Sequence, residues 1–301
     1  MEVIIASPRG FCAGVVRAIE VVEKTLDRTD GPVYVRKEIV HNPHVVSELR
    51  EKGAIFVDEI EEVPEDQTVV FSAHGVSPRV WENSRNRNLN ILDATCPLVT
   101  KVHAEAIKYA REGYTILLVG HKGHEEVEGT LGEAPESTLL IEDAVAARSV
   151  SIMDESKVVA LTQTTLSVDD TEEIIGILRE RFPLLVTRND ICYATTNRQV
   201  AVKAMANKVD LVLVIGAQNS SNCNRLREVA ASFGIPSYLI NGPDDMSEEW
   251  FANVERVGIT SGASTPERLV DSVVQKLAPE SIQTLELIDE NVSFVLPKEL
   301  R

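Results

Sequence analysis

The chain has few cysteines, few tryptophans, little basic charge and no long apolar run, and each shortage excludes something. Four cysteines in 301 residues cannot build the disulfide framework of a secreted domain. Cys12, Cys96, Cys192 and Cys223 all lie more than four residues apart, which rules out the Cys-x-x-Cys signature of thioredoxin-like proteins and most structural zinc sites. Neither G-x-G-x-x-G nor G-x-x-x-x-G-K-[ST] is present, so no dinucleotide or P-loop site is expected. Thirty basic against 47 acidic residues give a net charge of −17. That balance argues against nucleic-acid or anionic-membrane partners. Apolar runs such as Leu211 to Ile215 fall far below the ~20 residues a membrane span needs. The opening MEVIIASPRGFCAG has no secretory pattern. A soluble cytoplasmic protein is expected.

What is present is an ordinary globular composition, 44% hydrophobic and 26% charged. Short β-branched runs alternate with amphipathic stretches almost from end to end. Strands are expected near Val3–Ala6, Val33–Arg36, Val69–Ser72, Thr115–Val119, Val158–Thr162, Leu211–Ile215, Pro236–Ile240 and Val257–Thr260. Helices are expected at Val15–Leu26, Thr100–Arg111, Thr171–Arg181, Thr195–Ala206 and Arg225–Ser232. This alternation predicts an α/β fold with mostly parallel sheets. Cys12, Cys96 and Cys192 each follow an apolar strand and open a helix, at separations of 84 and 96 residues, which suggests three similar α/β lobes. The expected divisions are 1–95, with Cys12, His41 and His74; 96–190, with Cys96, His124, Glu126 and Thr164; and 191–278, with Cys192, Ser220, Asn222 and Ser264. Residues 279–301 read as a strand and tail packing back on an earlier lobe.

Ligands of parallel sheets collect at the carboxyl ends of strands. Those positions hold the three cysteines; His41 in EIVHNPH; His74 in VVFSAHG; His121 and His124 in LLVGHKGHEEVEGT; Thr164 and Thr165 in ALTQTTLS; Ser220, Ser221 and Asn222 in IGAQNSSN; and Ser264 in ITSGAST. A lone intracellular cysteine is most often a buried small hydrophobe. Three in one local context are harder to dismiss, because a helix N-terminus favours thiolate, the form that binds metal. Iron–sulfur clusters normally take four cysteines, so three would leave one iron without a protein thiolate. Cys223 reads as packing. The serines and Asn222 are plausible plain N-caps. Together with histidines on other strands they form a set of donors suited to phosphate or diphosphate. Glu126 fits either a solvated acid in a helix's first turn or a proton donor with Thr164 as hydroxyl partner. A zinc-dependent hydrolase of a phosphorylated substrate and a non-catalytic iron–sulfur sensor remain as competing classes.

The strings PRGFCAGV, EIVHNPHVV, FSAHGVSP, DATCPLVTKVH, GHEEVEGT, TQTTLSVDDT, DICYATTNRQ, NSSNCNRL and GITSGAST resemble the motif series of the LytB-type 4-hydroxy-3-methylbut-2-enyl diphosphate reductases, from residue 3 to the closing PKELR. The resemblance implies three lobes in a pseudo-threefold trefoil around a central cavity holding one 4Fe-4S cluster. Cys12, Cys96 and Cys192 would ligate three irons and leave the fourth open to substrate. His41, His74, His124, Ser220, Ser221, Asn222 and Ser264 would hold the diphosphate. Glu126, Thr164 and His124 would serve catalysis, and Thr165 is expected in the same pocket. It also implies a ferredoxin- or flavodoxin-type electron donor, for which a basic face including Arg9, Arg17 and Arg198 is expected.

Overall fold

A computed structural model describes the whole chain, Met1–Arg301. The chain opens with β1 (Glu2–Ser7) and α1 (Ala13–Arg28). Next come β2 (Val33–Arg36), α2 (Pro43–Glu51), β3 (Ala54–Val57), β4 (Thr68–Phe71), α3 (Pro78–Asn86), β5 (Asn90–Asp93) and α4 (Pro97–Arg111). The middle third carries β6 (Thr115–Val119), α5 (Glu125–Glu133), β7 (Thr138–Ile141), α6 (Ala144–Ser149), β8 (Val158–Thr162), α7 (Val168–Arg181) and β9 (Val186–Thr187). The last third carries α8 (Tyr193–Ala206), β10 (Leu211–Ile215), α9 (Ser221–Ala231), β11 (Ser237–Ile240), β12 (Arg256–Ser261), α10 (Glu267–Leu277) and β13 (Ser281–Glu286). No helix is long and apolar enough to cross a membrane.

These strands make three wholly parallel sheets, in the orders β3-β2-β4-β5, β7-β6-β8-β9 and β11-β10-β12-β1-β13. Each sheet repeats one plan: the first strand is flanked by the second on one side and the third on the other, and the fourth lies beyond the third. In the last sheet the fourth place is taken by β1, paired in parallel with β12 from Glu2↔Arg256 to Ile5↔Ile259. The expected first division, 1–95, is therefore corrected. The first sheet begins at Val33, and the N-terminal strand completes the sheet of the last lobe. The cysteines move with this correction. Cys96 follows the fourth strand of the first sheet, Cys192 that of the second, and Cys12 that of the third.

Parallel strands covered on both faces are apolar throughout, as in β8 and β10, where every residue is buried. Alternate residues of β1 serve opposite faces. Ile4 and Ala6 pack with Met205, Val214 and Leu226 beneath α8 and α9, whereas Val3 and Ile5 pack with Ile259, Leu269 and Val273 beneath α10. Ile116 and Leu117 split between two clusters in the same way in the middle sheet. Burying one such side chain contributes roughly 1.5–3 kcal/mol. Strand β13 lies at the sheet edge on β1 and is almost wholly exposed.

The chain divides into two compact units. Met1–Val15, His41–Val45 and Cys192–Ser293 form one, which holds the five-stranded sheet; Val16–Val40, Val46–Ile191 and Phe294–Arg301 form the other, with both four-stranded sheets. The chain end, 294–301, lies in the second unit, where Arg17 Nε donates to the Val295 carbonyl at 2.9 Å.

Candidate functional site

The connection leaving β6 runs to one side of its sheet and that leaving β8 to the other, as do those leaving β10 and β12, so the carboxyl ends of β6/β8 and β10/β12 are topological switch points where ligands collect. In the five-stranded unit the loop after β10 runs into α9 through Ser220, whose Oγ accepts from Cys223 N at 3.4 Å as the N-cap. Ser221 opens the helix, and Asn222 beside it is 5% exposed. Neither Oδ1 nor Nδ2 of Asn222 has a hydrogen-bond partner. Leaving a buried polar atom unpaired costs about 1–3 kcal/mol, so this amide is fit to receive a ligand. Across the switch point, after β12, Ser264 is also buried, and its hydroxyl donates to the His41 carbonyl at 3.0 Å. The His41 ring lies 3.5 Å from Asn219 Nδ2. His44, by contrast, is tied through Nε2 to the Asn241 carbonyl at 3.2 Å, a structural bond.

The other unit places a buried acid and two histidines at the β6/β8 switch point. His124 caps α5, accepting the Glu126 N–H on Nδ1 at 3.2 Å, which leaves the ring proton on Nε2. Its ring meets that of His74 edge to face at 5.9 Å. His74 Nδ1 lies 3.1 Å from Glu125 Oε2, and Ser72 donates to the same oxygen at 3.4 Å. Glu126 is only 2% exposed although it sits in the first helical turn. Thr164, after β8, donates its N–H to Oε1 at 2.6 Å and its hydroxyl to Oε2 at 3.0 Å. Burial pushes the Glu126 carboxyl up to about 7; the Thr164 bonds oppose that rise and the Asp190 charge adds to it. A carboxyl poised there donates or accepts a proton near neutrality. Thr165 Oγ1 accepts from Gln163 Nε2 at 2.9 Å, and Gln163 Oε1 in turn accepts the His121 N–H at 3.1 Å.

The cysteines fall into two groups. Cys12, Cys96 and Cys192 are part-exposed free thiols, and each immediately precedes a helix. Cys192 caps α8, with Thr195 N at 3.4 Å and the Thr195 hydroxyl at 3.2 Å from its sulfur. Cys96 caps α4, its N–H donating to the Ala73 carbonyl at 3.0 Å. Gly10, before Cys12, has φ of +67°, a conformation that favours glycine. Cys223 is wholly buried against Gly216 and Gly262, and burial pushes its thiol up to about 11. Three accessible thiols at equivalent positions of a repeated plan, with the fourth inert, are a donor set that fits an iron–sulfur cluster.

The three arginines expected on a basic docking face are engaged within the chain. Arg198 is 0% exposed. Arg9 is paired with Glu267, its Nε donating at 3.0 Å, and Arg17 donates to the Thr95 and Asp93 carbonyls at 2.9 and 3.3 Å. These cations brace the chain instead of presenting charge. The sequence reading also missed Asp190, whose buried carboxylate takes Lys101 Nζ at 3.1 Å and the Thr162 N–H at 3.4 Å. An acid two residues before Cys192 was the available signal. A hollow of about 370 Å³ beside Arg36, Glu59, Glu61 and Arg79 contains none of the site residues.

Fold and site together define an α/β protein with accessible thiols, an unsatisfied buried amide at a helix terminus and a buried acid at its strand ends. The LytB protein family model matches residues 3–278. A 4-hydroxy-3-methylbut-2-enyl diphosphate reductase of Ralstonia nicotianae is 51% identical over 305 residues, covering 100% of this chain and 94% of the relative. One from Nocardia farcinica is 55% identical over 306 residues, covering 100% and 91%. The solved E-1-hydroxy-2-methyl-but-2-enyl-4-diphosphate reductase of Plasmodium falciparum superposes with a TM-score of 0.96 at 39% identity, covering 100% of this chain and 96% of that one. The chain belongs to the LytB family. Membership implies an iron–sulfur cluster.

Proposed function

We propose that this chain is a cytoplasmic reductase that removes the allylic hydroxyl of 4-hydroxy-3-methylbut-2-enyl diphosphate. Two electrons and two protons enter, and isopentenyl or dimethylallyl diphosphate leaves with one water, the closing reaction of the non-mevalonate route to isoprenoids. The observation that carries the reading is Glu126, a buried carboxyl raised to about 7 and held at both oxygens by Thr164. Hydroxide is a poor leaving group, so the departing oxygen needs a proton as its carbon–oxygen bond breaks. Protonated Glu126 gives that proton, and Thr164 fixes the carboxyl's orientation. Asn222, Ser220, Ser221 and Ser264 receive the diphosphate with His41, His74 and His124. His124, whose Nδ1 already accepts the Glu126 N–H, offers Nε2 to the anion. Fixing the anion at many points sets the reacting carbon in place.

Cys12, Cys96 and Cys192 would hold a 4Fe-4S cluster with one iron open, which supplies electrons singly and Lewis acidity when bound. A ferredoxin- or flavodoxin-type protein is the electron donor.

The test is anaerobic purification, iron and sulfide quantitation, and turnover of the hydroxylated diphosphate with a reduced one-electron donor. Isoprenyl diphosphate products that vanish in Glu126→Gln and in each of Cys12→Ser, Cys96→Ser and Cys192→Ser are expected. A loaded cluster without turnover would point to a sensor, and zinc without sulfide to a hydrolase.

A further inference from the structure

Arg198, on the second turn of α8, is a wholly buried cation that the reaction does not use. Its Nη2 donates to the Gly10 carbonyl at 2.8 Å. Nη1 donates to the Ala194 carbonyl at 2.9 Å and to both carboxylate oxygens of Glu290, at 3.0 and 3.2 Å. Asn197 Nδ2 reaches the same carboxylate at 3.0 Å. Gly10 lies two residues before Cys12, and Ala194 two residues after Cys192. One guanidinium therefore bridges the β1–α1 loop and the first turn of α8. A second tie runs beside it: the Ala13 N–H donates to the Tyr193 hydroxyl at 3.1 Å. Ala13 and Tyr193 are the immediate neighbours of the two cysteines.

A buried ion pair adds little net stability over apolar residues of equal volume. Its value here lies in the rigid planar fork, which can serve two carbonyls and a carboxylate in fixed directions. Glu290 belongs to a stretch, 287–297, that has neither helix nor strand. Its last backbone tie to the sheet is Leu287 N to the Ser7 carbonyl at 3.3 Å. The side-chain bonds from Asn197 and Arg198 are what hold the carboxylate.

We propose that Arg198 is a positioning residue that fixes the spacing of the Cys12 and Cys192 sulfurs, and that Glu290, reaching in from the C-terminal tail, locks it in place. This rests on the reading of both cysteines as cluster ligands. Partners that orient metal ligands are worth about 10–100-fold in metal affinity. Loss of the lock leaves the fork free to turn from the carbonyls, and the cluster becomes labile while the lobe stays folded.

Glu290→Gln and Arg198→Lys test this in the full-length, cluster-loaded protein. The readouts are the rate of iron release to a chelator and the paramagnetic spectrum of the reduced cluster. Circular dichroism and melting of the metal-free protein are measured beside them. Both variants are expected to release iron roughly tenfold or more faster than wild type, with altered spectra; an unpaired buried cation also lowers the melting point of the metal-free form, and iron release is expected to rise beyond what that loss of stability accounts for. Arg198→Lys is expected to be the more severe, because an ammonium cannot span both carbonyls. Glu290→Gln keeps side-chain volume, so the test survives an Arg198 variant that fails to fold. Unchanged release and spectra in Glu290→Gln would overturn the proposal. So would release that rises only in step with a lower melting point of the metal-free protein, since that marks a merely structural pair. Wild-type protein that binds no iron and sulfide overturns the ligand assignment itself, a result visible before any variant is made.

Discussion

The strand ends of the two units solve opposite problems. At β10/β12 the decisive group, Asn222, is neutral, buried and unsatisfied. At β6/β8 the decisive group, Glu126, is ionisable, buried and fully bonded through Thr164. The first end forgoes hydrogen bonds that an anion can restore. The second keeps its bonds and instead holds a proton that water would have removed. On the proposed reading, binding and proton transfer ask different things of similar loops: one is open to a partner, and the other is closed around its acid. Parallel sheets supply both, because within each sheet the carboxyl ends of the strands turn helix N-termini and loops toward one side.

Removing the acid is expected to give the largest effect. Glu126→Gln preserves shape and can still accept from Thr164, but it carries no transferable proton. Turnover is expected to fall by about 10²–10⁴-fold, with substrate affinity little changed. In the wild-type protein kcat/KM is expected to decline as pH rises through about 7, where the carboxyl ionises. A Glu126→Gln variant that retains turnover, or a wild-type profile flat from pH 6 to 8, would remove the proton donor from this end of the comparison.

The same carboxyl makes a prediction about stability. Its folded-state value of about 7 lies above the ordinary 4.5, so the fold favours the protonated form. The stabilising contribution is complete below the ordinary value and is lost as pH rises through the folded one. With about 1.4 kcal/mol per unit, the loss is roughly 3 kcal/mol. Denaturant midpoints of the metal-free protein are expected to fall more steeply between pH 5 and 7 in wild type than in Glu126→Gln. Parallel slopes would mean that the site hydrates when empty.

Asn222 should respond the other way. Asn222→Leu replaces an unsatisfied amide by an apolar group of similar size. The ligand-free protein is expected to gain about 1 kcal/mol or more, while affinity for the diphosphate falls. Titration with pyrophosphate alongside denaturant melts reads both quantities. Loss of stability together with affinity would show that the amide already has a partner, and the contrast between the two ends would collapse.

How much of this was visible beforehand depends on how local each interaction is. Val33–Arg36, Thr115–Val119, Val158–Thr162 and Leu211–Ile215 were legible to the residue, because strands covered on both faces are written as continuous apolar runs. Asn90–Asp93 and Val186–Thr187 were legible only as the short apolar segments before Cys96 and Cys192, and Ala54–Val57 and Thr138–Ile141 not at all. Nothing local records that Glu2–Ser7 pairs with Arg256–Ser261, so the lobe boundaries were misplaced. The site residues announced themselves by position at strand ends, but their environments did not. A glutamate in a first turn looks solvated until Thr164 closes over it. An arginine in a helix looks exposed until the Gly10 carbonyl, 188 residues away, accepts from it.

The smallest expected effect separates the cysteines. Cys223 packs its sulfur against Gly216 and Gly262 inside the five-stranded unit, so Cys223→Ala removes contacts and no chemistry. A loss of about 1 kcal/mol in stability is expected, with iron, sulfide and turnover unchanged. Alkylation of the native metal-free protein should distinguish the same groups. Cys12, Cys96 and Cys192 are part-exposed and are expected to react, whereas Cys223 is buried with its thiol raised to about 11 and is expected to resist until the protein unfolds. Loss of iron in Cys223→Ala, or its labelling in the folded protein, would move it into the group of ligands and break the rule that each thiolate follows the fourth strand of a sheet.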